Sequence, residues 1–482
     1  MAHKVQGITA AELSRGAWLF AFLLVTLLFF TWGFAYGLLD VLNKHFQEIF
    51  GITKLQSTLL QLAYFGSYFG WPPFAGMFMR RYGYKKGIHL GLTFYSLGAV
   101  FFWPSAVYAK YGGFVGCTFV IGCGLSTLEV AANSYITVLG TPKFAAARLN
   151  FAQGFQGIAS FAGPMIASRW FFTGANATSL ATVQWVYLAV AGFGLILNIL
   201  FFFCPLPEIT EDALSDELKG AGISQDEKPF WKQWHCLFGW VAQTAYVGAQ
   251  VALASFVVNY LTDPLQGSNY DDATASQLFS YCQITFTVGR FISVVILQYI
   301  DPAIMLSIHA LFCAVFCILV AELKGKAGVV SLFIVFYFES LSYPVIFTLG
   351  TKSLGRHTKW GSSLIVMGVG GGAWYPPAQA ALADLAGTPR SYLVPMSGYV
   401  AMLIYGIGMV IDQSRKFGFR IRTYDELEVM KLRIAAASAF PPTAMIMFAE
   451  GENRDHKNGS TSDSPTELEK RDIEYRETAQ AA

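Results

Sequence analysis

Apolar runs recur along almost the whole chain, and about 20 predominantly apolar residues are what a helix needs to cross a bilayer. Such windows fall near residues 18–40, 58–79, 87–108, 114–138, 149–170 and 183–203. After a polar stretch they resume near 234–262, 276–298, 303–321, 328–350, 361–386 and 392–412. Lipid cannot satisfy backbone N–H and C=O groups, so runs of this length dictate helices, each closing its own hydrogen bonds. Charge avoids these windows: Asp, Glu, Lys and Arg make up 13% of the 482 residues, against roughly 25% in soluble domains. The expected fold is an all-α membrane protein of about twelve transmembrane helices.

Residues 204–233 interrupt the pattern with Pro205, Pro207 and the acids Glu208, Glu211, Asp212, Asp216, Glu217, Asp226 and Glu227, a composition that reads as a polar linker. The expected organisation is an N-terminal segment (1–17), a six-helix bundle (18–203), the linker (204–233), a second six-helix bundle (234–412) and a partly disordered tail (413–482). An apolar patch at 434–448 is too short to span and contains Pro441 and Pro442. Basic residues of short loops set orientation. Arg80, Arg81, Lys85, Lys86, Lys143, Arg148, Lys352, Arg356 and Lys359 fall on one side with both termini and the linker. That side is expected to be cytoplasmic, in a plasma-membrane protein. Asn176-Ala177-Thr178, a glycosylation sequon, falls on the opposite side.

Shifting the sequence by 210 positions superposes several features without a gap. Glu129, Ile136, Leu139, Gly140 and Thr141 fall on Glu339, Ile346, Leu349, Gly350 and Thr351. Ala35, Tyr36, Val41 and Phe46 fall on Ala245, Tyr246, Val251 and Phe256, and Arg80 falls on Arg290. Two six-span repeats about an axis along the membrane normal would place a binding site between them at mid-depth, with access alternating as one half rocks against the other.

Ionisable groups at mid-span cost about 2.5–3.5 kcal/mol on insertion scales, so those present mark function by default. Glu129 lies near the middle of the fourth window and Asp40 near the outer end of the first. A water-poor setting favours the neutral form of a carboxyl, so such a group can hold a proton and release it when water arrives. The structural alternatives are a partner for Arg148 in the case of Glu129, and a wet helix end for Asp40. The mate of Asp40 is Gln250, which cannot titrate, so proton handling is expected in the first half.

Amides, hydroxyls and aromatic faces suit a neutral polyol. The windows carry Asn43, Gln61, Tyr64, Asn133, Asn150, Gln153, Gln156, Gln250, Asn259, Gln283, Tyr337, Trp374 and Tyr375. Singly, each could equally be an interhelical hydrogen bond; together they point to a polyol-sized cavity with few cations. Candidate substrate ligands are Tyr36, Gln61, Glu129, Asn133, Asn150, Gln153, Gln250, Asn259 and Glu339. The glycine run at 368–372 precedes Pro376-Pro377 in the eleventh window, and suggests close packing or a flexible point.

Other classes fare poorly. A net charge of +2 and the lack of a basic cluster argue against nucleic acid. The seven cysteines show no disulfide or zinc spacing. No Walker Lys-Ser/Thr is present, and His309 stands alone, so neither an ATP-driven pump nor a membrane enzyme is favoured.

Several segments resemble the fucose–proton symporter family of major facilitator sugar transporters: Phe30-Thr-Trp-Gly-Phe-Ala35 leading to Asp40, Gln61-Leu-Ala-Tyr-Phe-Gly-Ser-Tyr-Phe69, Leu128-Glu-Val-Ala-Ala-Asn133, Arg148-Leu-Asn-Phe-Ala-Gln153, Tyr246-Val-Gly-Ala-Gln250 and Gly361-Ser-Ser-Leu364. The resemblance implies that Asp40 and Glu129 are the family's two essential acids, Glu129 contacting both proton and sugar. It implies that Asn150 and Gln153 lie near the cavity. Arg80 departs from the pattern, standing where the general facilitator motif carries an acid. The expectation is proton-coupled symport of a neutral monosaccharide, L-fucose or a hexose such as glucose or galactose, by a monomer that uses a proton gradient and neither cofactor nor metal. The alternatives are a non-transporting sugar sensor and an uncoupled facilitator.

Overall fold

The computed structural model describes residues 14–50, 54–166, 180–203, 206, 229–268, 270–425, 428, 429 and 432. The side chains of 35–36, 38–49, 54–58, 163–164, 166, 180–183, 272–273 and 356 are outside the description. The sequon at Asn176, most of the linker, the apolar patch at 434–448 and the side chains of Tyr36, Asp40 and Asn43 therefore lie outside the described residues.

Among the described residues, nine helices are long and apolar enough to cross a membrane. In chain order the spans are 1 (Arg15–Phe50), 2 (Lys54–Gly70 and Pro72–Tyr82), 3 (Tyr84–Val107), 4 (Tyr111–Val138), 5 (Ala145–Ile166) and 6 (Leu180–Phe203). They continue as 7 (Trp234–Ser255 and Val257–Thr262), 8 (Asp272–Ile296), 9 (Pro302–Glu322), 10 (Lys326–Glu339 and Ser342–Thr351), 11 (Thr358–Met367 and Tyr375–Ala386) and 12 (Leu393–Phe417). Spans 2, 5 and 11 join those nine to complete the twelve expected. Span 12 runs past residue 412 to Phe417.

Residues Met1–Ser215 and Asp226–Thr423 form one compact unit, which holds both bundles. Asp216–Gln225 and Tyr424–Ala482 form another; in it the Val429 amide donates to the Asp425 carbonyl at 3.0 Å.

Spans 2, 7, 10 and 11 are broken, and in spans 2, 10 and 11 the breaks follow from sequence. Pro72 and Pro73 start the second half of span 2, where a first-turn proline lacks only a donor that would be unpaired anyway. In span 10, Pro344 offers no N–H to the Ser340 carbonyl, and the helix is interrupted at Ser340–Leu341. Three neighbouring carbonyls are taken up by side chains: Phe338 O by His309 Nδ1 at 2.7 Å, Glu339 O by the Tyr246 hydroxyl at 3.0 Å, and Ser340 O by Arg290 Nε at 3.1 Å. His309 is thus a helix-to-helix contact.

In span 11 the glycine run tightens into a 3-10 turn, Gly368–Ala373, between span 7 and the aromatics Phe65 and Phe69 of span 2. A Cβ on Gly371 would lie 2.0 Å from the Thr244 carbonyl oxygen. The glycines therefore serve close backbone approach. Gly371→Ala is expected to destabilise the protein by about 1–3 kcal/mol through overpacking, read as a lowered thermal midpoint in detergent.

Span 4 is the most enclosed: every residue from Ile121 to Ile136 is buried. Enclosed on all sides, it places its polar residues, Glu129 among them, inside the protein and away from lipid. Side-chain contacts also gather at the basic-loop end. Arg148 donates to the carbonyls of Ile136, Thr137 and Thr141 at the end of span 4, in the manner of a basic residue capping a helix C-terminus. Lys359 of span 11 places Nζ 4.5 Å from the ring centroid of Tyr84 in span 3.

Candidate functional site

Residues four and three apart share a helix face. Glu129 and Asn133 therefore present one strip on span 4, and Asn150 and Gln153 one strip on span 5. The two strips meet: Gln153 Nε2 donates to Asn133 Oδ1 at 3.2 Å. All four residues are buried, Glu129 the least so at 8% exposure.

The second bundle closes the site from the other side through span 8. Asn150 Nδ2 donates to the Arg290 carbonyl at 2.7 Å, and Arg290 Nη1 donates to the Gln153 carbonyl at 2.6 Å. This close approach depends on Gly154, where a Cβ would come within 2.7 Å of the Phe291 ring. The Arg290 guanidinium lies 4.7 Å from the Phe286 ring centroid, one turn back on its own helix, and is 3% exposed.

Tyr68 of span 2 and Tyr343 of span 10 flank the Glu129 carboxyl together with Asn133. Tyr68 is held by a hydrogen bond from Trp32 Nε1. Tyr343 stands directly before Pro344 in the second half of span 10, so the break that frees the Ser340 carbonyl also belongs to the segment that carries this phenol.

Among the described residues, five buried polar atoms in this region have no protein partner within 3.5 Å, namely Glu129 Oε2, Asn133 Nδ2, Asn150 Oδ1, Gln153 Oε1 and the Tyr343 hydroxyl. Tyr343 and Asn133 approach Glu129 closely enough for weaker contact. An unmet buried polar group costs about 1–3 kcal/mol. Such a group persists in a native site when a ligand or water completes it. An amide N–H, amide and carboxyl oxygens and a phenol supply the donors and acceptors that hydroxyl groups pair with.

The contacts above unite Glu129, Asn133, Asn150 and Gln153. Gln61 and Gln250 are half-buried on spans 2 and 7, and Asn259 is exposed on Val257–Thr262, beyond the break in span 7. Asp40 and Tyr36 are on the span 1 helix, with side chains outside the described residues. Glu339 is enclosed in the second bundle, where Oε2 accepts a hydrogen bond from the Tyr399 hydroxyl at 2.5 Å.

One alternative reading needs correction. Arg148 is not the partner of Glu129, because the guanidinium is spent on carbonyls at the end of span 4. The few cations expected at the site include Arg290, which is joined to Asn150 and Gln153. A lone arginine well inside an apolar window was the available signal. Gln243 was also missed: it is fully buried beside Gly368 with neither amide atom paired.

Residues 20–411 match the Major Facilitator Superfamily. The chain belongs to that family. This facilitator is 34% identical over 394 residues to the glucose/galactose transporter of Brucella abortus, covering 80% of the chain and 93% of the relative. It is 31% identical over 425 residues to the L-fucose-proton symporter of Escherichia coli, covering 83% and 96%. The crystal structure of the Escherichia coli fucose:proton symporter FucP superposes with a TM-score of 0.70 at 30% identity, covering 82% of this facilitator and 99% of FucP. The facilitator is accordingly an integral membrane transporter and not an enzyme.

Proposed function

We propose that this facilitator carries a neutral monosaccharide, L-fucose or a hexose such as glucose or galactose, together with a proton by alternating access. The names of its relatives support both the cargo class and the coupling ion. The observation that carries the reading is the buried Glu129 carboxyl with Oε2 unpaired, set among the unpaired atoms of Asn133, Asn150, Gln153 and Tyr343. One group can then take the proton while its neighbours, and Glu129 itself, bind sugar hydroxyls. Asp40, Tyr36, Gln61, Gln250 and Asn259 remain candidates, Asp40 for proton handling toward the outer face.

In this scheme protonation of Glu129 removes a negative charge from the site and lets the sugar pair with a neutral carboxyl. Rocking of the bundles then separates Arg290 from Gln153 and Asn150, and water reaching Glu129 from the other side takes the proton. Loop charges support cytoplasmic termini and linker in a plasma-membrane protein. No cofactor enters the scheme, and a single chain supplies the complete site, with lipid around it.

Labelled L-fucose, glucose and galactose uptake, each with and without a proton ionophore, tests the reading. At least one sugar should accumulate, and the ionophore should abolish its accumulation; uptake of none, or accumulation indifferent to the ionophore, would overturn it. Gln153→Leu, which leaves a sugar hydroxyl unpaired, is expected to raise KM for the carried sugar about tenfold, the equivalent of about 1.4 kcal/mol.

A further inference from the structure

Gln243 stands near the middle of span 7, the depth at which two such repeats place a substrate, and has no accessible surface. Among the described residues neither its Oε1 nor its Nε2 has a hydrogen-bond partner. A primary amide can donate twice and accept twice, and native sites rarely leave such a group buried and unmet. The repeat does not call for an amide at this place. The mate of Gln243 at the offset of 210 is Gly33, where a Cβ would run into the Gln156 carbonyl oxygen.

The contacts of span 7 show which way the amide faces. Toward span 10, a Cβ on Gly239 would lie 3.3 Å from the Gly350 Cα, and the Tyr246 hydroxyl donates to the Glu339 carbonyl. Toward span 11, the Thr244 carbonyl meets Gly371 and the Tyr375 ring fills the space beside Gly248. Toward span 12, the Ala245 carbonyl and the Ala249 methyl meet Gly398. At about 100° per residue, Gln243 falls between the sectors of spans 10 and 11, with its stem against Gly368 of the 3-10 turn. Phe65 and Phe69 of span 2 cover that turn from the first bundle. Gln250, seven residues on, shares this face. Trp240, three residues earlier, adds a buried Nε1–H without a partner among the described residues. Spans 7 and 10 run antiparallel, and the Gly239–Gly350 and Tyr246–Glu339 contacts put Gln243 level with Tyr343 and the residues just after it. Tyr343 carries one of the unpaired groups of the site.

We infer that Gln243 is a sugar ligand supplied by the second bundle, with Nε2 donating to one hydroxyl oxygen and Oε1 accepting from the adjacent hydroxyl. The inference rests on the monosaccharide reading above. The site then recognises its cargo from both bundles, through Asn133, Asn150 and Gln153 on one side and Gln243 on the other. A sugar that lacks either hydroxyl, or carries one inverted, leaves a buried amide atom unmet, and sites built on such hydrogen bonds reject those analogues strongly. Gln243 thus selects among monosaccharides and takes no part in moving the proton.

The test is competition for labelled-sugar uptake by monodeoxy and epimeric analogues of the carried sugar, in wild type, Gln243→Leu and Gln243→Asn, normalised to protein at the cell surface. Protons entering per sugar are measured alongside. Wild type should disfavour the analogues altered at two adjacent positions about tenfold or more, the scale of one or two lost hydrogen bonds. Gln243→Leu, an apolar side chain of similar size, should raise KM for the parent sugar by about the same factor. It should also accept those particular analogues as readily as the parent, with the proton-to-sugar ratio unchanged. Gln243→Asn draws the amide back by one methylene; it should lose the same discrimination, and decides the matter if Gln243→Leu does not reach the membrane. Wild-type ratios for every analogue in the variants, whatever happens to maximal rate or thermal midpoint, overturn the inference and leave the amide a structural group. A wild-type protein that carries no monosaccharide would instead overturn the cargo reading, so the two failures are distinct.

Discussion

Glu129→Gln is expected to abolish uphill sugar accumulation while leaving sugar exchange across the membrane within a few-fold of wild type. Glutamine keeps the shape and hydrogen-bonding capacity of a protonated carboxyl but cannot release a proton. The effect should be large. A membrane potential of 100 mV supplies about 2.3 kcal/mol per proton, and at about 1.4 kcal/mol per tenfold this amounts to roughly a 50-fold gradient. Accumulation should fall from that order to unity, whereas exchange of labelled for unlabelled sugar, which needs no net proton release, should continue. Loss of exchange together with accumulation, at normal surface expression, would mean that Glu129 serves binding and not coupling.

The second large effect concerns Arg290. Leaving a buried acceptor without its donor costs about 1–3 kcal/mol. Arg290→Ala takes the donors from the Ser340 and Gln153 carbonyls. The variant should show a depressed thermal midpoint in detergent and reduced surface expression. Arg290→Ala with Glu339→Gln removes both charges, and recovery of part of the loss would reveal coupling between the two residues. Strict additivity of the two single changes would show that the residues do not interact. A fully stable Arg290→Ala protein would remove this account of Arg290 altogether.

Much of the architecture was legible because lipid imposes a coarse and strong rule: apolar windows of sufficient length must be helices. The interruption at 204–233 and the repeat at an offset of 210 divide the chain into halves. Glu129, Asn133, Asn150 and Gln153 were legible for a related reason. A polar group inside an apolar window needs a partner, and spacings of three and four put these residues on common faces.

Arg290 was harder to read. Its neighbours Phe286 and Phe291 continue the apolar pattern of span 8, and its partners are carbonyl oxygens, which carry no sequence signature. Tyr68 and Tyr343 were obscured by composition, since phenols in spans serve packing as often as binding. The consequence of Pro344 was in principle readable. A mid-span proline frees the carbonyl four residues earlier, but nothing in the sequence says which donor will claim it. The repeat also misled in one respect. Glu129 and Glu339 are mates at the level of sequence, yet the first stands beside span 10 of the opposite bundle and the second is enclosed in its own, bonded to Tyr399. Two-fold relation of backbones does not carry over to side-chain surroundings when the facing helices differ.

The most direct test of the central claim is the movement of protons when sugar is added to de-energised cells or vesicles in a weakly buffered medium. The account predicts that a carried sugar makes the external medium alkaline as it enters, and that the Glu129→Gln protein moves the same sugar with no pH change. Entry of sugar through the wild-type protein without alkalinisation would contradict it.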